Sequence, residues 1–82
     1  MYRIEITKRA LKFIQKQPKP VRELILKAIH ALPSGDIKAL RGHDSLYRLR
    51  IGNYRIIYTI DNNQLMICVI DAGNRGQIYN GY

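Results

Sequence analysis

Two helices packed on one face of an antiparallel sheet, in the order β-α-α-β-β-β, is the α+β layer fold this sequence predicts. Three observations carry that reading. Residues 46–61, LYRLRIGNYRIIYTID, alternate apolar and polar on either side of Gly52-Asn53, the pattern of a β-hairpin. Residues 8–32 hold two stretches of helical spacing split by Pro18-Lys19-Pro20, the pattern of an αα-hairpin. Residues 65–72 are almost continuously apolar, as a central strand covered on both faces would be. No repeat, linker or low-complexity tract interrupts the chain, so residues 1–82 read as one domain.

In chain order, Met1 to Ile6 alternates Tyr2, Ile4 and Ile6 against Arg3 and Glu5, a short strand. Thr7 is placed to cap the helix that follows. Lys8 to Gln17 puts Ala10, Leu11, Phe13 and Ile14 on one stripe. Pro18 ends that helix, because a residue before proline is pushed out of the α region, and Pro20 can open the next at its first position. Val21 to Leu32 repeats apolar residues at Val21, Leu24, Ile25, Ala28, Ile29 and Leu32, which is helical spacing throughout. Pro33-Ser34-Gly35-Asp36 stops it, and Ile37 to Ser45 reads as a connection. After the hairpin, a turn at Asn62-Asn63 leads to the last strand and pairs Arg55 with Ile70. Gly73 to Tyr82 reads as an irregular tail or a short extra strand.

A two-residue turn sets the hairpin register. Ile51 faces Tyr54, Arg50 faces Arg55 and Arg48 faces Ile57. Tyr47, Leu49, Ile51, Tyr54, Ile56, Tyr58 and Ile60 then share the face that buries against the helices. Arg48, Arg50 and Arg55 share the other, which looks outward. Like charges directly opposite each other are destabilising. Taken singly, each arginine reads as a solvated strand residue. Taken together, they read as an anion site, and phosphate suits the planar guanidinium because it accepts two hydrogen bonds at once. The tail can bring Arg75 and Tyr79 to the same hollow, where a phenol would stack on or hydrogen-bond a nucleotide.

Charge agrees with that reading. Fourteen Lys and Arg against six Asp and Glu give a formal net charge of +8 on 82 residues. So basic a small surface points to a polyanionic partner, nucleic acid or an acidic protein. An apolar content of 46% is too high for a disordered chain. No apolar run is long enough for a membrane span, and no signal-peptide core is expected at the N-terminus. One cysteine, Cys68, permits no internal disulfide and fits a reducing cytoplasm. It lies in the most apolar strand and reads as a packed thiol. His30 reads as structural, and His43, in a loop beside Asp44, as either a plain loop histidine or a proton-transfer group. The spacing of Cys and His suggests no metal site and no cofactor is implied. There is no phosphate loop and no Ser-His-Asp set.

Three segments in this order, KRALKFIQKQP, LRGHDSLYRLRIGNYRIIYTID and VIDAGNRGQIY, resemble the RelE/ParE superfamily of toxin–antitoxin toxins over nearly the whole length, the RelE branch more than the ParE branch. The middle block is the most specific, with a Leu-basic-Gly step, a Tyr-basic-x-basic strand and then Gly-x-Tyr-Arg before two apolar residues and Tyr. The resemblance implies a RelE-like fold and a small basic ribonuclease that cuts messenger RNA in the ribosomal A site. The 2′-hydroxyl would attack the adjacent phosphorus, leaving a 2′,3′-cyclic phosphate and a free 5′-hydroxyl. It implies a cognate acidic RelB-like antitoxin, the ribosome and mRNA as partners, and no membrane or metal. Matched by position in the motif, the catalytic set is Arg48, Arg50, Arg55, Arg75 and Tyr79. Lys8, Arg9 and Lys12 of the first helix, with Arg41 and His43 of the loop, are the candidates for further RNA contact.

The sequence departs from the family pattern at Arg48 and Arg50, where RelE-type enzymes commonly carry lysine. A guanidinium does not give up its proton. The arginines therefore serve as stabilisers of a phosphorane, with Arg75 steadying the leaving oxygen and Tyr79 orienting the 2′-hydroxyl. The base is left open between His43, a ribosomal RNA group, and none at all. Other readings are a ParE-like toxin that inhibits DNA gyrase without nuclease chemistry, toward which the arginines lean, and a chain that only binds antitoxin.

Overall fold

The computed structural model describes residues 2–40 and 45–74. Strand β1 (Arg3–Ile6) leads into helices α1 (Lys8–Gln15) and α2 (Lys19–His30). Strands β2 (Asp36–Ala39), β3 (Leu46–Ile51), β4 (Tyr54–Asp61) and β5 (Met66–Asn74) follow. They form one five-stranded sheet in the order β1-β5-β4-β3-β2. The helices lie on one face. Ala10, Ile14, Ile25 and Ile29 bury against Leu49, Ile51, Ile56, Tyr58, Ile67, Val69 and Ala72. This is the expected α+β layer fold, with differences in its strands that matter for the other face.

β1 runs parallel to β5, so the sheet is mixed. The αα-hairpin carries the chain back over the sheet before it re-enters, and the last strand lands beside the first in the same direction. β2 is a fifth strand inside the stretch expected to be a connection. Asp36, Ile37, Lys38 and Ala39 pair antiparallel with Arg50, Leu49, Arg48 and Tyr47. Gly35 makes the entry possible: its φ is +123°, and a Cβ there would meet Leu49 Cδ1 at 3.0 Å.

The hairpin register is as expected, with Ile51 opposite Tyr54, Arg50 opposite Arg55 and Arg48 opposite Ile57. Gly52 has φ +56°, the left-handed first turn position that the chain requires there. The next turn is longer than expected. Asp61 pairs with Met66, leaving four residues between them, and Asp61 Oδ1 accepts from the amides of Asn63 and Gln64. A β-bulge at Ile57/Tyr58 then adds one more residue on β5. The two shifts bring Gly73, in place of Ile70, opposite Arg55. β5 is central, as expected, but alternates in burial instead of being enclosed on both faces. Ile67 and Val69 are fully buried, while Met66, Cys68 and Ile70 are half-buried.

The helices follow their apolar spacing except at the stripe edges, where Leu11 and Leu24 are exposed. α2 starts at Lys19, with Pro20 at its second position. Thr7 caps α1 as expected. Its Oγ1 accepts from the Ala10 amide at 3.3 Å and donates to the Ile70 carbonyl at 3.0 Å, tying the helix start to β5. Thr7→Ala is expected to lower unfolding free energy by about 1–2 kcal/mol in urea titration, because cap and tether go together.

Tyr58 is fully buried on the helix-facing side, its ring stacked on Tyr47 at 5.6 Å and 23°. Its Oη has no hydrogen-bond partner among the described residues. Burial, with a lesser contribution from Tyr47, pushes its phenol up to about 12. The unfolded phenol ionises near 10. The stabilisation tied to the neutral phenol is therefore intact below about pH 10 and is lost as pH rises through the folded value. Tyr58→Phe removes an unpaired hydroxyl. It is expected to gain about 1 kcal/mol at neutral pH and to keep more of its stability above pH 10 in denaturant titrations.

Candidate nucleic-acid interface

The sheet face away from the helices is organised by two rows of directly opposed residues. One runs Asp36, Arg50, Arg55, Gly73; the next runs Lys38, Arg48, Ile57, Asp71. Strand alternation puts all of these on one side. The period-two pattern of β3 and β4 thus gathers Arg48, Arg50 and Arg55 as expected.

The face is not simply outward. Arg55 is only 6% exposed and Ile57 is fully buried. The Arg48 side chain is 12% exposed, whereas that of Arg50 is half open at 50%. Burial makes the guanidiniums unequal. Arg50 Nε donates to Asp36 Oδ2 at 2.5 Å. Arg48 Nη1 lies 3.6 Å from Asp36 Oδ1, an ion pair too long to be a hydrogen bond, and that nitrogen is buried without a hydrogen-bond partner among the described residues. Arg55 Nη1 reaches only the carbonyl of Tyr54, at 3.3 Å, and its Nε is buried without a partner among the described residues. Gly73, directly across from it, brings no side chain into the space alongside.

Asp36 is the residue the sequence reading missed. It looked like the end of a helix stop, yet Asp36, Ile37, Lys38, Ala39 already alternates polar and apolar, a period-two signal that could have found it. The hydrogen bond from Arg50, with the positive charges of Arg50 and Arg48, holds its carboxyl below the usual value. It relieves the repulsion between Arg50 and Arg55 that the hairpin register alone implies.

Arg9 joins this face from the other layer. It stands at the start of α1, just after β1 ends, and its Nε lies 3.3 Å from Asp71 Oδ1. Asp71 is buried and also accepts from the Ala72 amide at 2.9 Å. Lys8 and Lys12 are exposed on α1, in the helix layer, and are not brought to the arginine rows. Arg41, His43, Arg75 and Tyr79 lie outside the described residues. Burial, helped by Glu5 directly across in β1, pushes the Cys68 thiol up, which disfavours thiolate chemistry. His30 Nδ1 sits 2.7 Å from the Leu26 carbonyl, a helix-end contact. Among the described residues no group of three His, Cys, Asp or Glu is placed to hold a metal ion, and no helix is long and apolar enough to cross a membrane.

Guanidiniums of graded burial over one sheet face can hold a phosphodiester by fork-like hydrogen bonds and stabilise extra charge on it. The profile of the ParE toxin of type II toxin–antitoxin systems matches residues 4–79. A toxin candidate named RelE1 from Methanocaldococcus jannaschii is 40% identical over 86 residues, covering 95% of this chain and 94% of that protein. The RelE–RelB complex from Pyrococcus horikoshii superposes with a TM-score of 0.79 at 29% identity, covering 93% of this chain and 97% of that one. The RelB–RelE antitoxin–toxin complex from Methanococcus jannaschii gives 0.75 at 25% identity, over 95% and 98%.

Proposed function

The chain belongs to the ParE toxin family of type II toxin–antitoxin systems, within the RelE/ParE superfamily, and from that premise we propose that it is a RelE-like, ribosome-dependent mRNA endonuclease. The observation that carries the reading is Arg55: a guanidinium 6% exposed, with a buried Nε that has no partner among the described residues, beside Arg48 and Arg50 on one face. A fold retains a buried charge without a carboxylate at considerable expense unless a ligand completes it.

In this mechanism the scissile phosphate sits on the arginine face. The 2′-hydroxyl attacks the phosphorus as the P–O5′ bond breaks, giving a 2′,3′-cyclic phosphate and a 5′-hydroxyl. Arg55 and Arg48, poorly hydrated and already oriented, stabilise the added negative charge of the phosphorane, and the more open Arg50 guides the backbone in. Arg75 steadies the leaving O5′, which takes up a proton from water, and Tyr79 orients the 2′-hydroxyl. The proton is taken by His43 or a ribosomal RNA group. Where neither serves as the base, positioning and charge carry a slower reaction. Lys8, Arg9, Lys12 and Arg41 hold flanking RNA through their charge. A cognate acidic antitoxin of the RelB kind neutralises the basic surface, a reading supported by the net charge of +8 and by the antitoxin complexes of the structural relatives. This places the action in the cytoplasm, where translating ribosomes are.

The experiment is to add purified protein to translating ribosomes and map mRNA 5′ ends. Cuts at the A-site codon support the reading. Intact mRNA together with inhibition of gyrase supercoiling overturns it in favour of a gyrase-directed toxin.

A further inference from the structure

We propose that Asp36 is an internal stand-in for the RNA phosphate, occupying the seat between Arg48 and Arg50 until a phosphodiester displaces it. The inference rests on the nuclease reading above and adds a residue that sets what the site accepts. Each Asp36 oxygen addresses a different guanidinium, Oδ2 the Nε of Arg50 and Oδ1 the Nη1 of Arg48. Two non-bridging phosphate oxygens can make the same pair of contacts.

The seat is held loosely. The Asp36 side chain is 45% exposed, and ion pairs so close to water are weak. At 3.6 Å the Arg48 contact leaves a buried N–H without an acceptor among the described residues. Asp36 on β2 lies two strands from Arg55 on β4, and among the described residues it makes no contact with that guanidinium. A phosphodiester that reaches Arg55 as well as Arg48 and Arg50 makes one charged contact more than the carboxylate it replaces. A small or poorly placed anion that reaches only the outer pair gains nothing over Asp36. The carboxylate thereby offsets the repulsion among the guanidiniums in the free protein and sets a threshold that only a backbone reaching Arg55 passes.

The test is binding of fluorescein-labelled oligouridylate to the full chain at low salt, read by anisotropy. Asp36→Asn is expected to tighten binding about fivefold, the scale of one exposed ion pair, and to steepen the salt dependence by about one counterion. Asp36→Glu, which keeps the charge, should bind like the parent. Arg48→Ala and Arg55→Ala should both weaken binding. If they weaken it while a folded Asp36→Asn binds no better than the parent, Asp36 is only structural and this inference fails alone. If neither arginine matters, the nuclease site itself is misassigned. The unaltered chain gives an independent reading should Asp36→Asn fold poorly. Saturating oligouridylate should move the ¹³C resonance of the Asp36 carboxyl as it loses its guanidinium partners, and a fixed resonance under saturation overturns the proposal.

Discussion

Arg55→Ala is expected to cut ribosome-dependent mRNA cleavage by at least ~100-fold, the usual loss when one preorganised charge donor is removed from a transition state. It is also expected to leave the thermal midpoint of the free protein unchanged or higher. The two expectations come from the same environment. The Arg55 side chain is nearly sealed from water, its Nη1 has one long contact to the neighbouring carbonyl, and its Nε has none among the described residues. A charge so placed is poorly solvated, so its removal relieves the fold of a penalty of several kcal/mol per ion, less the packing of its stem. Arg55→Lys keeps the charge but loses the planar fork, and should fall between the parent and the alanine variant. Both readouts are needed: mapped 5′ ends per folded molecule, and the melting of the free chain. A lowered midpoint would make Arg55 a packing residue, and parental cleavage would remove it from the site.

How far such a site can be read in advance depends on whether pairing is local. The register that sets Arg50 against Arg55 follows from a two-residue turn, and Gly52 at φ +56° supplies the conformation that turn demands. Nothing outside the hairpin was needed. Two things outside it were harder to read. The pairing of β2 with β3 is a contact across a loop, and a four-residue strand has too few residues for its alternation to outweigh the Pro33-Ser34-Gly35 stop signal before it. The pairing of β4 with β5 was displaced by a four-residue turn with Leu65 at φ +51°, an apolar residue where Gly or Asn is usual, and then by a bulge. The turn's shift of two residues keeps the expected faces of Met66 to Val69, and the one further residue of the bulge exchanges the faces beyond it. Asp71 and Gly73 therefore come to the arginine side, while Ala72 turns into the core. In β3 and β4 polarity told which residues share a face. It did not tell how deep they lie, since the low exposure of Arg55 and Arg48 is a property of the assembled sheet.

Ile56→Ala is expected to have the largest effect on stability of any change discussed, about 2–5 kcal/mol, and little effect on cleavage per folded molecule at low temperature. Ile56 is fully buried between Leu49 and Ala72, its direct neighbours across β3 and β5. Ala72 is too small to close the space left behind, and Leu49 is itself packed against the helices. In a domain of 82 residues a loss of this size takes a large share of the total and should lower the thermal midpoint by ~10 °C or more. The comparison with its neighbour is the sharper test. Arg55 and Ile56 are adjacent in β4 and point to opposite faces of one sheet. If the sheet separates a packed scaffold from a charged working surface, alanine at 55 should abolish activity with stability spared, and alanine at 56 should do the reverse. Equal damage to both properties from both substitutions would mean the arginine face is part of the core, with no separate surface for RNA.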